Sequence, residues 1–179
     1  KKVRSKGFPV AVGGPHATVM PESCGEFDCV IQGYGEEAAL AAIFPTAPHV
    51  LDYASNVTKG TLDYILPARD LVDIQAYKYS INGVKGTNIF TEQACPFGCL
   101  FCCGRSSPFY RVVKYRKPDD IVREVQMLQD TYGFNAFMDF SDEINLNGKL
   151  LIEFCRLLKP LNAKFRAFIK ANLFNDEQA

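Results

Sequence analysis

The sequence predicts an α/β fold built on parallel strands, and three observations support this prediction. Short apolar strands alternate with helical segments along much of the 179 residues, of which 47% are hydrophobic. Glycine-rich turns follow two of the early strands, and in α/β sheets such turns let backbone approach a ligand at the carboxyl edge. The second half of the chain has the order strand, helix, strand, helix, strand, which favours parallel pairing.

Composition and charge narrow the classes of function. Twenty basic and 20 acidic residues cancel, so we expect neither nucleic acid nor a membrane as a partner. No apolar run approaches the length of a membrane span. The basic N-terminal residues are not followed by the long apolar stretch of a signal peptide. We therefore expect a cytoplasmic protein, in which clustered cysteines are more often metal ligands than disulfides.

The first part of the chain is predicted to belong to a doubly wound sheet. Residues 8–12 and 27–32 have the apolar character of short buried strands. A helix is predicted over residues 36–43. It has acidic residues in its first turn, where negative charge interacts favourably with the helix dipole. Four glycines lie in the turns after the two strands: Gly13, Gly14, Gly33 and Gly35.

The middle of the chain has a different composition. Prolines and glycines punctuate residues 45–86, which predicts a linker on the surface with one short strand near residues 51–53. This segment suggests no chemistry by itself.

From residue 87 the strand and helix pattern returns. Strands are predicted at residues 87–92, 136–140 and 165–170. Pro118 suits the first position of the first intervening helix, which ends at Gly133. This helix has one apolar face: Ile121, Val122, Val125, Leu128 and Tyr132. The second helix, over residues 150–158, ends before Pro160.

The cysteine spacing is the strongest chemical signal in the sequence. Cys95, Cys99 and Cys102 follow the pattern C-x3-C-x2-C. Thiolates bind iron–sulfur clusters, zinc or copper(I), and a four-iron cluster held by three cysteines keeps one iron open for another ligand. A structural zinc site is the alternative, but zinc needs a fourth ligand. Cys103 is the nearby candidate, and an adjacent residue usually points elsewhere.

The cysteine loop resembles that of a known family. With an aromatic residue, Phe101, before the last cysteine, it is similar to the cluster loop of radical S-adenosylmethionine (SAM) enzymes. Residues 115–124 and 140–147 resemble the helix and second-strand motifs of the subgroup with an N-terminal cobalamin-binding domain. Residues 12–18 and 33–36 resemble the late turns of that domain, although Tyr34 departs from the usual acidic residue.

This resemblance implies a fold and a domain division. Residues 1–44 would be the end of a Rossmann-like cobalamin-binding domain, and residues 45–86 a linker. Residues 87–179 would be the N-terminal half of a radical SAM (β/α)6 barrel. Because about six strand–helix units form such a barrel and three strands are predicted here, we expect the chain to be a fragment or to continue beyond the given residues.

The resemblance also implies the roles of the site residues. Cys95, Cys99 and Cys102 would hold a [4Fe-4S] cluster whose open iron binds SAM, and Phe101 would pack near the adenine. Asp142 and Glu143 would accept hydrogen bonds from the SAM amino group, with a helix cap or turn as the alternative. Because both follow a parallel strand, we expect them to face the same cavity as the cysteine loop.

The glycines of the first two turns would contact a second cofactor. Gly13, Gly14, Gly33 and Gly35 would line the nucleotide tail of cobalamin through close backbone approach, with ordinary tight turns as the alternative. His16, in the first of these turns, is expected to be a polar turn residue rather than a cobalt ligand.

Other polar and sulfur-containing residues have simpler interpretations. Three cysteines are expected to be small buried apolar residues: Cys24, Cys29 and Cys155. Arg116 and Glu124 either form an ion pair that orients the first barrel helix or are solvated. Lys170 either reaches the SAM carboxylate or is a surface lysine.

The function that the resemblance implies is a radical SAM enzyme generating a 5′-deoxyadenosyl radical. The first hypothesis is a cobalamin-dependent methyltransferase acting on an unactivated carbon of a small molecule or peptide, with flavodoxin or ferredoxin as reductant. The second is ring formation or rearrangement by a related radical SAM enzyme. A non-catalytic iron–sulfur or zinc module is the third.

Overall fold

The structure, a computed structural model, describes residues 3–42, 49–55 and 58–179. The chain forms two compact units. One comprises residues 1–59 and 95–112, and the other comprises residues 60–94 and 113–179. The cysteine loop therefore belongs to the first unit, although the chain on both sides of it belongs to the second. The predicted domain limits at residues 44 and 86 stay a prediction.

The first unit contains a three-stranded parallel sheet. Its elements in chain order are β1 (Ala11–Val12), α1 (Pro15–Val19), β2 (Cys29–Gln32), α2 (Gly35–Ala42) and β3 (Val50–Asp52). The strands have the order β1-β2-β3, so β2 lies in the centre. Strands β1 and β2 are shorter than predicted, and β3, within one residue of the short strand predicted in the linker, joins this sheet. The last residue of the predicted helix, residue 43, lies outside the described residues.

Both faces of β2 are covered. Val30 packs with Ala17 of α1 and with Cys24, whereas Cys29 and Ile31 pack with Ala38 of α2. Successive strand residues point to opposite faces, so this alternation places one helix on each side of the sheet. The arrangement is the predicted doubly wound one, and it confirms that Cys24 and Cys29 are buried.

The second unit contains a four-stranded and a three-stranded sheet. Its strands are β4 (Gly60–Thr61), β5 (Ser80–Ile81), β6 (Val84–Ile89), β7 (Glu92–Gln93), β8 (Lys114–Tyr115), β9 (Ala136–Asp139) and β10 (Lys164–Arg166). Its α-helices are α3 (Pro118–Tyr132) and α4 (Gly148–Leu158). The larger sheet has the order β10-β9-β6-β5, in which β6, β9 and β10 are parallel, as predicted.

The predicted strand over residues 87–92 is divided in the structure. Strand β6 ends at Ile89, and Glu92 and Gln93 form β7, which pairs antiparallel with β8. The predicted third strand is also shorter, because β10 ends at Arg166. These boundaries matter because they place Glu92 next to the end of β9 rather than in the middle of a ladder.

Helix α3 packs one face on the parallel sheet. Its buried residues Ile121, Val125 and Leu128 join Phe134 and Phe137 in the main core. Gly133 ends the helix with φ +70°, and its N–H donates to the Gln129 and Leu128 carbonyls. This is the left-handed C-terminal cap that glycine makes without steric cost.

Helix α4 buries less of its surface than the sequence predicts. The Asn147 side chain accepts the N–H of Leu150 and caps its first turn. Phe154 and Leu158 are buried, but Cys155 is exposed. The prediction of a buried Cys155 is wrong because this helix packs only the face that carries Phe154 and Leu158. Among the described residues, no helix is both long and apolar enough to cross a membrane.

Candidate active site

The cysteine loop is tied to the segment that follows it in the first unit. The backbone N–H of Cys95 donates to the Tyr110 carbonyl at 3.0 Å, and the Arg111 guanidinium donates to the Pro96 carbonyl at 3.1 Å. Within the loop, the N–H of Cys102 donates to the Cys99 carbonyl at 3.1 Å. The first and last cysteines of the motif are thus held by backbone hydrogen bonds.

An aromatic cluster supports this loop. Phe109 is 2% exposed, and its ring centroid lies 4.5 Å from that of Tyr34 and 5.0 Å from that of Tyr110. Tyr34 comes from the glycine turn at which the sequence departs from the cobalamin-domain pattern that it otherwise resembles. Phe109 and Tyr110 were not predicted as part of the site, since their signal in the sequence is no more than an aromatic pair close after the motif.

The motif cysteines differ in exposure but share one chemical state. All seven cysteines of the chain are thiols. Cys95 and Cys99 are half-buried, whereas Cys102 and the adjacent Cys103 are exposed. Phe101, predicted to pack near adenine, is 93% exposed. A thiol set of this kind, carried by one anchored loop, has the donor chemistry of an iron–sulfur site.

The thiols do not converge on a single point. In the described part of the chain, no three His, Cys, Asp or Glu side chains lie where they could hold one metal ion. A cubane cluster places each iron at a different corner, so its three thiolates bind three separate atoms. The ligand set of Cys95, Cys99 and Cys102 stays a prediction.

The predicted cobalamin glycines have different surroundings. A Cβ at Gly14 or Gly35 would meet no atom within 4 Å, and Gly14 has φ +95°. A Cβ at Gly13 would make an ordinary contact with Ile31 at 3.5 Å. At Gly33, with φ +97°, it would meet the Tyr53 backbone at 2.9 Å. Open space for a ligand therefore exists beside Gly14 and Gly35, whereas the protein's own backbone fills the space at Gly33.

His16 makes a local hydrogen bond. It is exposed in α1, and its Nε2 lies 2.8 Å from the Ser23 hydroxyl. This contact agrees with the expected polar role, although His16 lies in α1 rather than in a turn.

A buried hydrogen-bond network joins the ends of β6 and β9 in the second unit. Asp139, which is 0% exposed, accepts the Thr91 hydroxyl at 2.7 Å and the Ser141 hydroxyl at 2.7 Å. Its carboxylate also accepts the backbone N–H groups of Thr91 at 3.2 Å and Ser141 at 3.0 Å. These donors compensate the burial of the carboxylate, and they fix the two strand ends to each other.

Glu92 lies beside this network. Its backbone N–H donates to the Ser141 hydroxyl at 3.0 Å, and the backbone of Glu143 lies near its carboxylate. The residue is 3% exposed, and its Oε1 has no hydrogen-bond partner among the described residues. Burial is the main cause that raises the pKa of this carboxyl to about 9. Three nearby carboxylates add to the shift: Asp139, Asp142 and Glu143.

Asp142 and Glu143 meet Glu92 at this place. Asp142 retains an exposed face, and partial burial raises the pKa of its carboxyl. Glu143 is half-buried, and its Oε2 is an unpartnered buried oxygen in the described part of the chain. The two acids that the sequence selected therefore belong to a cluster of carboxylates in the second unit. The cavity predicted to unite them with the cysteine loop stays a prediction.

Arg116 and Glu124 form a buried ion pair. Arg116 donates to Glu124 at 2.7 Å, and their side chains are 2% and 0% exposed. Arg69 donates to the other oxygen of Glu124 at 3.1 Å. Arg116 also donates to the Phe90 carbonyl at 2.8 Å and lies 4.0 Å from the ring centre of Tyr64. This confirms the ion pair rather than solvated side chains, and it adds Arg69 as a second partner of Glu124.

Lys170 is held through its backbone. Its N–H donates to the Asn145 side-chain oxygen at 2.8 Å, and its carbonyl accepts the Asn145 side-chain amide at 3.0 Å. The amide of Asn145 thus fixes the backbone that follows β10 to the loop that follows β9. The reach of the Lys170 side chain towards SAM stays a prediction.

Comparison with known proteins agrees with the sequence motifs. The chain is 26% identical to an uncharacterised methyltransferase of Pyrococcus horikoshii, over 95% of this chain and 41% of that protein. It is 25% identical to a bacteriochlorophyllide d C-8(2)-methyltransferase of Chlorobaculum tepidum, over 97% and 40%. An anaerobic magnesium-protoporphyrin IX monomethyl ester cyclase of Cereibacter sphaeroides is 26% identical, over 80% and 27%. No protein-family model matches the chain.

The fold has a match among solved structures. The chain aligns with TsrM of Kitasatospora setae, a radical SAM methyltransferase solved with its tryptophan substrate and a SAM analogue. The TM-score is 0.65 at 17% identity, over 95% of this chain and 38% of TsrM. These comparisons confirm the resemblance: the chain is similar in sequence to methyltransferases, and it has the α/β fold of a radical SAM methyltransferase. It spans about two fifths of the length of its methyltransferase relatives.

Proposed function

We propose that this chain carries the cluster and SAM site of a cobalamin-dependent radical SAM methyltransferase that acts on an unactivated carbon. The observation that carries the proposal is the anchored loop with thiols at Cys95, Cys99 and Cys102. The two relatives named as methyltransferases support it, because they align over nearly the whole chain.

The chain's own residues would act by holding and orienting two cofactors. Cys95, Cys99 and Cys102 would bind a [4Fe-4S] cluster, which when bound supplies the electron that cleaves SAM to a 5′-deoxyadenosyl radical. Asp142 and Glu143 would accept hydrogen bonds from the SAM amino group. The Asp139 network would keep their loop in place, since its buried donors and acceptors leave little freedom at the strand ends.

Cobalamin would supply the methyl group. Gly14 and Gly35 fit the approach of such a ligand, because the space where a side chain would start is open at both. The substrate would be a small molecule or a peptide, and a flavodoxin or ferredoxin would reduce the cluster.

Ring formation is the second candidate. The cyclase relative favours it, but that relative aligns over 80% of this chain, against 95% and 97% for the methyltransferases. The alignment therefore favours methyl transfer.

The test uses the full-length protein, reconstituted without oxygen with iron, sulfide and cobalamin. A brown cluster absorbance with a red corrin component is expected, and dithionite with SAM should release 5′-deoxyadenosine. With SAM labelled in its methyl group, the label should appear in methylcobalamin. A ring-forming enzyme would release 5′-deoxyadenosine but would leave the cobalamin unlabelled. A colourless zinc protein would contradict both candidates.

A further inference from the structure

We propose that Asn145 is a positioning residue of the SAM site. It ties the loop that carries Asp142 and Glu143 to the backbone after β10, and this tie sets the affinity for SAM. The inference rests on the proposed function, which gives the two acids their role. It adds a residue that acts through them rather than by touching the ligand.

The side-chain amide of Asn145 makes a two-point bridge to Lys170. Its oxygen accepts the backbone N–H of Lys170 at 2.8 Å, and its NH2 group donates to the Lys170 carbonyl at 3.0 Å. Asn145 is 2% exposed. Because β9 ends at Asp139 and β10 at Arg166, the bridge lies beyond the paired part of both strands. An amide side chain offers a donor and an acceptor side by side, as a peptide group does, so Asn145 takes the place of a strand partner where the ladder has ended.

The predicted SAM acids, residues 142 and 143, lie between two anchors of the same loop. Before them, the Ser141 hydroxyl accepts two backbone N–H groups of the segment that follows β6. After them, the Ile144 N–H donates to the Phe168 carbonyl at 3.1 Å, and the Asn145 bridge follows directly. The acid pair is too short to move independently of these anchors, so a shift of either anchor displaces the carboxylates.

Hydrogen bonds hold the β10 side of this arrangement, because its side chains are poorly buried. Phe168 and Ile169 are 54% and 50% exposed, so apolar burial contributes little at this point of the chain. The Asn145 amide supplies two of the hydrogen bonds that join the two loops, and the Ile144 N–H supplies another. Binding groups must be held closely in place to be effective, and a displacement of about 1 Å can lower activity by about 100-fold. Loss of the bridge therefore weakens SAM binding.

The SAM affinity of a shape-matched variant tests this role. Asn145→Leu keeps the branching of the side chain and removes both hydrogen bonds to Lys170. Binding of SAM to full-length protein with a reconstituted cluster is measured by calorimetry, without reductant and well below the unfolding temperature. The dissociation constant should rise about tenfold, the size expected for one well-formed hydrogen bond. With dithionite, the KM for SAM should rise by the same factor while kcat for 5′-deoxyadenosine release is nearly unchanged.

Gln129 offers a matched control at the opposite end of the same strands. Its side-chain amide donates to the Leu161 carbonyl and to the Asn135 side chain, both at 3.0 Å, and these two residues precede β10 and β9. Gln129→Met keeps the length of the side chain and removes both hydrogen bonds. It should lose stability in urea as Asn145→Leu does, but bind SAM with the affinity of the wild type. General loosening of the sheet would weaken SAM binding in both variants alike.

Hydrogen–deuterium exchange of the wild type gives a test that needs no variant. Because the bridge couples the two loops, SAM should slow exchange in residues 141–145 and also in residues 167–171. Residues 159–163, at the opposite end of β10, should exchange at the same rate with and without SAM. This measurement decides the matter if Asn145→Leu does not fold, which its iron content will show.

Four results would overturn the inference while leaving the proposed function intact. They are wild-type SAM affinity in Asn145→Leu, an equal loss of affinity in Gln129→Met, a loss confined to kcat, and protection by SAM that is confined to residues 141–145. If the cluster-loaded wild type fails to bind SAM at all, the proposed function itself fails, and this inference fails with it.

Discussion

The hydroxyl oxygen of Ser141 accepts the backbone N–H of Glu92 at 3.0 Å, although 49 positions separate the two residues. The same oxygen accepts the N–H of Thr91 at 2.8 Å. One side chain after β9 thus fixes the backbone that leads from β6 towards the cysteine motif. The network explains how the loop of acids after β9 and the backbone of residues 91 and 92 are kept in register within the second unit.

Removing this hydroxyl should destabilise the protein markedly. Ser141→Ala leaves the buried N–H of Glu92 without its acceptor, leaves the N–H of Thr91 only its 3.2 Å bond to Asp139, and takes one donor from Asp139. We expect a loss of about 2–4 kcal/mol in the free energy of unfolding, at roughly 1–3 kcal/mol for each unpaired group. Urea denaturation measures this loss. Ser80→Ala, at an exposed strand position, should change stability by at most about 0.5 kcal/mol. Equal effects of the two substitutions would show that the network does not contribute.

The buried ion pairs lead to a second prediction. Glu124→Ala removes the partner of both Arg116 and Arg69, whose side chains are 2% and 10% exposed. Uncompensated buried charge should cost about 3–5 kcal/mol, which chemical denaturation will measure. The exposed pair of Arg123 and Asp120 is the matched comparison, and Arg123→Ala should cost at most about 1 kcal/mol. A small effect of Glu124→Ala would contradict the burial of these charges.

The pKa of Glu92 predicts how stability depends on pH. This pKa is about 9 in the folded protein, against an ordinary value of 4.5. The folded state therefore holds a proton that the unfolded state releases, and stability falls as pH rises from about 4.5 to 9. The slope is on the order of 1.4 kcal/mol per pH unit. Glu92→Gln cannot ionise, so its loss of stability over this range should be smaller.

Thermal denaturation at pH 6, 7 and 8 will measure the difference. Glu153→Gln, at an exposed site on α4, should follow the wild type at each pH. Parallel curves for Glu92→Gln and wild type would mean that Glu92 is ionised in the folded protein at neutral pH.

The sequence predicts the fold and the motif well, since both are local patterns. The alternation of strands and helices, the apolar face of α3 and its end at Gly133 follow from spacing and from helix-cap chemistry. The prediction of a buried Cys155 failed because an apolar sequence does not reveal which side of a helix is covered. The grouping of residues 95–112 with residues 1–59 was not predicted, because it depends on contacts between residues distant in the sequence.

The buried polar network could not be predicted from the sequence. In the sequence, nothing distinguishes Thr91, Asp139 and Ser141 from other residues at strand ends. Only the parallel pairing of β6 with β9 brings them together. The burial of Glu92 cannot be recognised from the sequence, because an acidic residue in a predicted strand is usually assigned to the solvent face. Arg69 reaches Glu124 across 55 positions, and no local pattern reports such a contact.

The central claim is that Cys95, Cys99 and Cys102 are the ligands of a [4Fe-4S] cluster. The iron and sulfide content of the protein tests this claim most directly. Full-length wild type, reconstituted without oxygen, should hold about four irons per chain, and Cys103→Ala should hold the same. Cys95→Ala, Cys99→Ala and Cys102→Ala should each lose the cluster. Loss of the cluster in Cys103→Ala, together with its retention in Cys102→Ala, would contradict the account.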